Sequence, residues 1–246
     1  MKMPHDWIKP EWPAPARVAS MITTRNGGFS SGAFASFNLG LRCDDEVQAV
    51  EINRARLATF LPGPPRWLHQ VHGAIVVDAD RLDGETDADA SVARNAGTVC
   101  AVMIADCMPV LLCDDAGSVV GAAHAGWRGL SAGVIENTVR AMNVDPGRLL
   151  AYLGPAIGPA AFEVGADVRA VFVDGDAGAA AAFAPHGEGK WLADLFALGR
   201  RRLAACGVER VFGGGDCTVS NAQKFYSYRR DKTTGRMAAL IWITEN

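Results

Sequence analysis

The chain has 246 residues, 49% of them hydrophobic, and a formal net charge of -3. That is enough apolar material for one sizeable core, and it excludes the basic field that holds a nucleic-acid backbone. No stretch approaches the ~18–20 uninterrupted apolar residues of a membrane span. The opening MKMPHDWIKPEWPAP carries Pro, Trp and charge where a secretory signal needs an apolar run. These features predict one cytoplasmic domain over 1–246, with residues 1–16 as a tail and no nucleic-acid or membrane partner. A monomer or weak homodimer is expected. The six cysteines (43, 100, 107, 113, 206, 217) include no Cys-x-x-Cys pair, so reduced thiols are expected, most of them serving as small core hydrophobes.

Strand character recurs at Val18–Thr24, Ala74–Val77, Thr98–Ile104, Val110–Cys113, Val119–His124, Leu149–Leu153 and Met237–Trp242. Several of these are continuous apolar runs, which indicates strands buried on both faces. Helical character lies at Val47–Phe60, Leu130–Met142, Asp167–Val173 and Leu192–Cys206, while Asp174–Ala184 reads as a surface loop leading into an Ala-rich helical turn. Buried strands with helices outside predict a layered α/β sandwich. Strands 98–124 follow one another without room for crossover helices, which argues for a mixed sheet with hairpins over a doubly wound one. No Gly-x-Gly-x-x-Gly or P-loop is present, and Gly213–Gly215 reads as a tight turn.

Histidine supply constrains the chemistry most. There are five: His5, His69, His72, His124 and His186. His5 in the tail and His186 in a polar loop read as surface residues. Two polar islands remain inside apolar sequence, Trp67–Gly73 (WLHQVHG) and His124–Gly129 (HAGWRG). His69 and His72 are at i and i+3, so in an extended strand they face opposite sides. Either is as readily a satisfied structural residue as a ligand. Between the islands, Asp106 and Cys107 interrupt two buried strands shortly before Pro109, where a loop residue can be aimed at a site. Cys107 alone would be an ordinary buried thiol. Two His and one Cys, however, form a donor set suited to zinc with an open fourth position. Separations of 35 and 17 residues carry no local geometry, and spacing leaves the matter open.

Short Gly/Arg/aromatic islands supply further candidates. Thr23–Gly28 offers a turn with Arg25, Arg128 closely follows His124, and Phe225–Asp231 sets Arg229 and Arg230 beside aromatics. Arginine suits both bidentate anion contact and stacking on a flat ring. Surface ion pairing among Arg229, Arg230 and Asp231 is the equal alternative.

Taken in order, the islands TTRNGG, SFNLG, NRARL, WLHQVHG, ADCMPVLL, AAHAGWRGL, LGPAIGPAAFEVG, CT and FYSYRRDKTTGRMAALIW resemble the laccase-domain family. Its members are also called multicopper polyphenol oxidases and, in bacteria, the peptidoglycan editing factor. Two departures are visible: Asn38–Asp45 is about one residue shorter and carries Cys43, and Tyr226 replaces a frequent Phe. The resemblance implies a single-domain α/β sandwich with zinc held by His72, Cys107 and His124. Copper oxidation is not expected. A type 1 site plus a trinuclear cluster needs roughly ten histidines, imidazole being the usual copper ligand.

The resemblance also implies a zinc-dependent purine nucleoside enzyme. It would phosphorolyse adenosine, inosine and guanosine to base and ribose 1-phosphate, and deaminate adenosine. His72, Cys107 and His124 would be catalytic through the metal, and Asp106 would orient a ligand or relay a proton. Arg25, Arg128, Arg229 and Arg230 are candidates for phosphate or other substrate contacts, and Asn38 and Gln70 for ribose or base. The alternatives are a metal-free Cys107–His124 hydrolase, removal of misincorporated serine from a UDP-muramyl precursor, and a non-catalytic binding module.

Overall fold

Apolar runs buried on both faces need partners on both sides, and stacked sheets with helices outside supply them. A computed structural model describes residues 6–245; His5 lies outside them. The strands are β1 (Val18–Ile22), β2 (Pro65–Arg66), β3 (Val76–Asp78), β4 (Ala90–Ala93), β5 (Val99–Ile104), β6 (Met108–Asp114) and β7 (Val120–Ala125). They continue with β8 (Leu149–Leu153), β9 (Glu163–Gly165), β10 (Phe183–Pro185), β11 (Lys190–Ala193), β12 (Arg210–Gly213) and β13 (Met237–Ile243). The helices are α1 (Val47–Ala58), α2 (Trp127–Ala132), α3 (Val134–Met142), α4 (Ala166–Val173), α5 (Leu195–Ala205) and α6 (Tyr228–Asp231).

One sheet runs β1-β13-β5-β2 and a larger one β12-β8-β6-β7-β4-β3; a small antiparallel sheet, β10-β11-β9, stands apart. Both main sheets are mixed, with parallel pairs at β5–β2, β12–β8 and β3–β4. Period-2 alternation sets the layers. On β5, Cys100, Val102 and Ile104 meet Leu111, Cys113, Val120 and Ala122 of the larger sheet, while Val99 and Ala101 pack with Leu57 of α1, Phe37 and Trp7. On β6, Met108, Val110 and Leu112 turn the other way, into a core with Leu130, Val134, Phe172 and Leu195 from α2–α5. The sandwich is therefore helix, sheet, sheet, helices.

Several expectations change in detail. Strands 98–124 do not form one sheet: β5 belongs to the smaller main sheet and β6–β7 to the larger, so the chain changes layers between Ile104 and Met108. The helix expected over Leu130–Met142 is two helices, broken at Gly133 with φ 93. That expected from Leu192 begins at Leu195, because Lys190–Ala193 pairs as a strand and Asp194 caps Ala197 N. Only Cys100 and Cys113 among the cysteines are fully buried; the other four are half-buried, and all six are free thiols. Among the described residues no helix is long and apolar enough to cross a membrane.

The tail assigned to residues 1–16 does not hold for the described part, 6–16. Ile8 bridges Ile22 through paired backbone bonds of 2.9 Å, and the Asp6 carboxylate accepts from Thr24 Oγ1 and Asn26 Nδ2. Trp7 is buried against Phe37 and Phe60. The physical reason is that two Trp rings and an Ile offer more apolar area than a free segment can leave in water. Trp7→Ala should therefore lower stability by about 3 kcal/mol, within the range for a buried Trp. A denaturant titration checks this; an unchanged midpoint would mean that the segment is not docked.

Candidate metal centre and substrate cleft

The layer change between β5 and β6 makes the site. Within three residues the chain must leave one sheet and enter the next, and Asp106 adopts φ 93 to do so. Few non-glycine residues tolerate that region, and the surroundings must hold it. Three bonds do: Asp106 O accepts from Ile157 N (2.9 Å), Oδ1 from Thr218 Oγ1 (2.6 Å) and Oδ2 from Arg229 N (2.6 Å). With the corner fixed, the Cys107 thiol projects between the layers. Both carboxylate oxygens of Asp106 are engaged in holding the corner that presents Cys107.

His124 sits on β7, buried. Its backbone N donates to Asp89 O (2.7 Å), and its Nδ1 lies 2.8 Å from Asp89 Oδ1, leaving Nε2 as the outward nitrogen. The same carboxylate collects a turn from elsewhere in the chain. Val71 N and Gly73 N donate to Oδ2 (3.2 and 2.6 Å), and His72 N donates to Oδ1 (3.0 Å). Three successive N–H groups converging on one anion form a nest. This nest carries His72 through φ 61, a second left-handed non-glycine residue. The i, i+3 argument for an extended chain therefore does not apply at His72. His69 instead bonds Asp87 on the cleft wall, and His186 pairs with Glu163 at the surface.

His72, Cys107 and His124 thus come together with their ligand atoms all within 4.8 Å of one another. The imidazole rings of His72 and His124 meet edge-on, centroids 5.0 Å apart. Close packing requires the glycines of HAGWRG: a Cβ on Gly126 would lie 2.6 Å from Cys107 Sγ, and one on Gly129 2.8 Å from Gly73 O. Burial by itself pushes the Cys107 thiol up, but the facing imidazoles more than reverse this and hold it below the usual thiol range. Burial likewise lowers His124, and the Cys107 thiolate and the Asp89 carboxylate outweigh it, raising the imidazole. Asp89, fully buried, would rise on burial alone; bonds from His124, Gly73 and His72 keep it below the carboxylate range. Asp89 escaped the sequence reading. Its only signal was an acid set among small residues in Ala88-Asp89-Ala90, at the entry to β4.

The cluster opens into a cleft of about 680 Å³. Gln70, Arg128 and Arg229 are among its lining residues. Arg128 lies over the Trp127 ring at 4.6 Å, and Arg229 lies 5.5 Å from the Phe162 ring while donating Nη1 to Glu163 O. Gln70 faces the cleft, but its amide is taken at both ends by the Met103 backbone (2.7 and 2.8 Å), like an extra strand residue beside β5. Three candidates lie outside the lining. Arg25 holds Ala35 O and Ala222 O, and Arg230 holds Thr218 O, Val219 O and Phe225 O and pairs with Asp231. Buried Asn38 ties Gly40, Asp45 and Arg236 N together. These polar side chains satisfy loop carbonyls and amides that no strand pairs with. Arg42, Arg54 and Arg236, by contrast, line the cleft without having been singled out.

Comparison with known proteins follows the same islands. A purine nucleoside phosphorylase of Escherichia coli is 54% identical over 242 residues, covering 96% of this chain and 98% of that one. One from Pseudomonas aeruginosa is 52% identical over 240 residues, covering 97% and 99%. A crystal structure of a Neisseria meningitidis protein, 51% identical, superposes with a TM-score of 0.96 over 98% of this chain and all of that one. The family model described as multi-copper polyphenol oxidoreductase laccase matches residues 19–244, and the chain belongs to that family.

Proposed function

We propose that the protein is a zinc-dependent purine nucleoside enzyme. In this reading it phosphorolyses adenosine, inosine and guanosine to base and ribose 1-phosphate, and deaminates adenosine to inosine. The observation that carries it is the His72, Cys107, His124 cluster in the wall of a cation-rich cleft, in a chain whose relatives are called purine nucleoside phosphorylases. The donor set fits zinc: one sulfur and two imidazoles within reach of a single ion, with space toward the cleft for a fourth ligand. The carboxylate–histidine arrangement of Asp89 on His124 Nδ1 is the usual outer partner of a metal-bound imidazole. Copper oxidase chemistry lacks its ligands, since five histidines cannot serve a type 1 site and a trinuclear cluster.

Zinc bound there would supply a Lewis acid able to polarise a substrate oxygen or activate water. The chain supplies the rest. Asp89 fixes the tautomer of His124 and the turn that bears His72, while Asp106 fixes Cys107. Arg128 and Arg229 present flat guanidinium faces on which a heterocycle stacks. A second reading has one observation in its favour: Cys107, His124 and Asp89 also have the order of a thiolate, a general base and its orienting acid.

Metal analysis separates the two. The zinc reading expects about one zinc per chain, lost together with nucleoside turnover in Cys107→Ala and after chelation; full turnover in that variant would falsify it. Metal-free protein that is active and inactivated by alkylation would establish the thiol reading instead. Asp89→Asn should weaken zinc affinity roughly 10–100-fold, the usual effect of losing such an outer partner. Competition with a chromogenic chelator measures this, and unaltered affinity would remove Asp89 from the positioning role.

A further inference from the structure

The cleft wall carries more positive charge than its own acids balance. Arg42, Arg54, Arg128, Arg229, Lys232 and Arg236 line it against Glu85 and Asp106, in a chain whose net charge is -3. Asp106 is engaged by Thr218 and Arg229 N, and Glu85 pairs with Arg42 at 2.9 Å. Like charges gathered in a concave wall repel one another and focus their field on anionic ligands.

Two of these cations are held rigidly with donors to spare. Arg54 lies 4.4 Å over the Trp67 ring, donates Nε to Leu39 O (2.8 Å) and turns Nη2 toward Met103 Sδ (3.9 Å). Arg236 donates Nη1 to Thr234 O and Gly235 O. Among the described residues no carboxylate pairs with either, and Arg54 Nη1 and Arg236 Nη2 have no protein acceptor. Residues 39–43 join the two: Leu39 O holds Arg54, and a Cβ on Gly40 would lie 2.8 Å from Arg236 Cγ. A guanidinium fixed by its own contacts binds a tetrahedral oxyanion with little further ordering.

We propose that Arg54 and Arg236, with Arg42 at the rim, form a subsite for an oxyanion of the phosphate class, either inorganic phosphate or the phosphoryl group of a substrate ester. The assignment rests on the cleft being the substrate site proposed above. It replaces Arg25 and Arg230, which are committed to carbonyls. Met103, which Arg54 touches, is four residues from Cys107, so their Cα atoms are at most about 14 Å apart along the chain. The subsite and the His72, Cys107, His124 cluster line the same cleft, which one nucleotide-sized ligand would occupy. Glu85, which pairs with Arg42, is the protein anion that would compete with such a ligand.

Calorimetric titration of the zinc-loaded protein with inorganic phosphate and, separately, with adenosine 5′-monophosphate tests the subsite directly, whether or not nucleosides are turned over. Arg54→Gln and Arg236→Gln should each weaken the oxyanion that binds by about tenfold or more, and Glu85→Gln should strengthen it. Zinc content and adenosine affinity should stay within about twofold. Loss confined to free phosphate, with a matching rise in the phosphate KM of inosine phosphorolysis, identifies inorganic phosphate as the ligand. Loss confined to the monophosphate identifies an ester. Should Arg54→Gln fail to fold, Arg236→Gln and the surface variant Arg42→Gln carry the comparison. Wild-type protein that binds neither ligand, or folded variants that bind both as wild type does, would overturn the subsite. Absence of phosphorolysis with the binding effects intact would overturn the activity and leave the subsite standing.

Discussion

Burying a carboxylate without partners costs several kcal/mol, and a fold that contains one must surround it with donors. At Asp89 the donors are three successive backbone N–H groups, from Val71, His72 and Gly73, and the Nδ1 of His124. Each bond to a charged acceptor contributes about 1.5–3 kcal/mol, so the set offsets the desolvation only when complete. That requirement couples segments far apart in sequence. The 71–73 turn keeps its left-handed residue because the carboxylate holds it there, and His124 keeps its ring orientation for the same reason. The candidate metal centre is in this sense a by-product of satisfying one buried charge.

The same logic operates at the opposite corner with different groups. The layer change at residues 105–107 would be strained and mobile if Asp106 stood alone, since φ 93 is unfavourable for it. Thr218, Ile157 and the Arg229 amide bring in three other parts of the chain to hold it. Cys107 is therefore presented by a corner anchored from one side, and the histidines by a nest anchored from the other. The gap between them is only as wide as Gly126 permits, a Cβ there lying 2.6 Å from the sulfur. The relative placement of the sulfur and the two imidazoles is thus fixed by the protein's own bonds, the pre-organisation that a metal site would need.

Much of the fold was legible because burial writes itself into composition. Apolar runs such as Val99–Ile104 and Met108–Asp114 have no polar face, and each serves two cores. Short strands escaped for the opposite reason: β2, β9 and β12 have too few residues to show a period, and β4 (Ala90–Ala93) is built from small residues whose preference is weak. At the site, His72, Cys107 and His124 stood out through their neighbours, whereas Asp89 is one of four acids in Asp83–Asp89 and only its small neighbours Ala88 and Ala90 set it apart. Arg25, Asn38 and Arg230 lie outside the cleft lining because their polar groups serve the unpaired backbone of neighbouring segments first. Which arginines remain free for a ligand is decided by that accounting, and it depends on contacts 190 and more residues apart in sequence, as between Arg25 and Ala222.

The cleft wall joins two kinds of group. One part of it gathers the Cys107 sulfur and two imidazoles, one of them bonded to the buried Asp89. Another part gathers the Arg54 and Arg236 guanidinium groups, clamped by carbonyls, by a sulfur and by the Trp67 ring, none of which neutralises them. A neutral heterocycle would gain from the first part alone and a free anion from the second alone. Neither part by itself justifies a cleft of about 680 Å³. With the oxyanion subsite proposed above, the arrangement would favour a reaction in which a flat heterocycle and an oxyanion are present together, a constraint on substrate class that the His72, Cys107 and His124 cluster would not impose by itself.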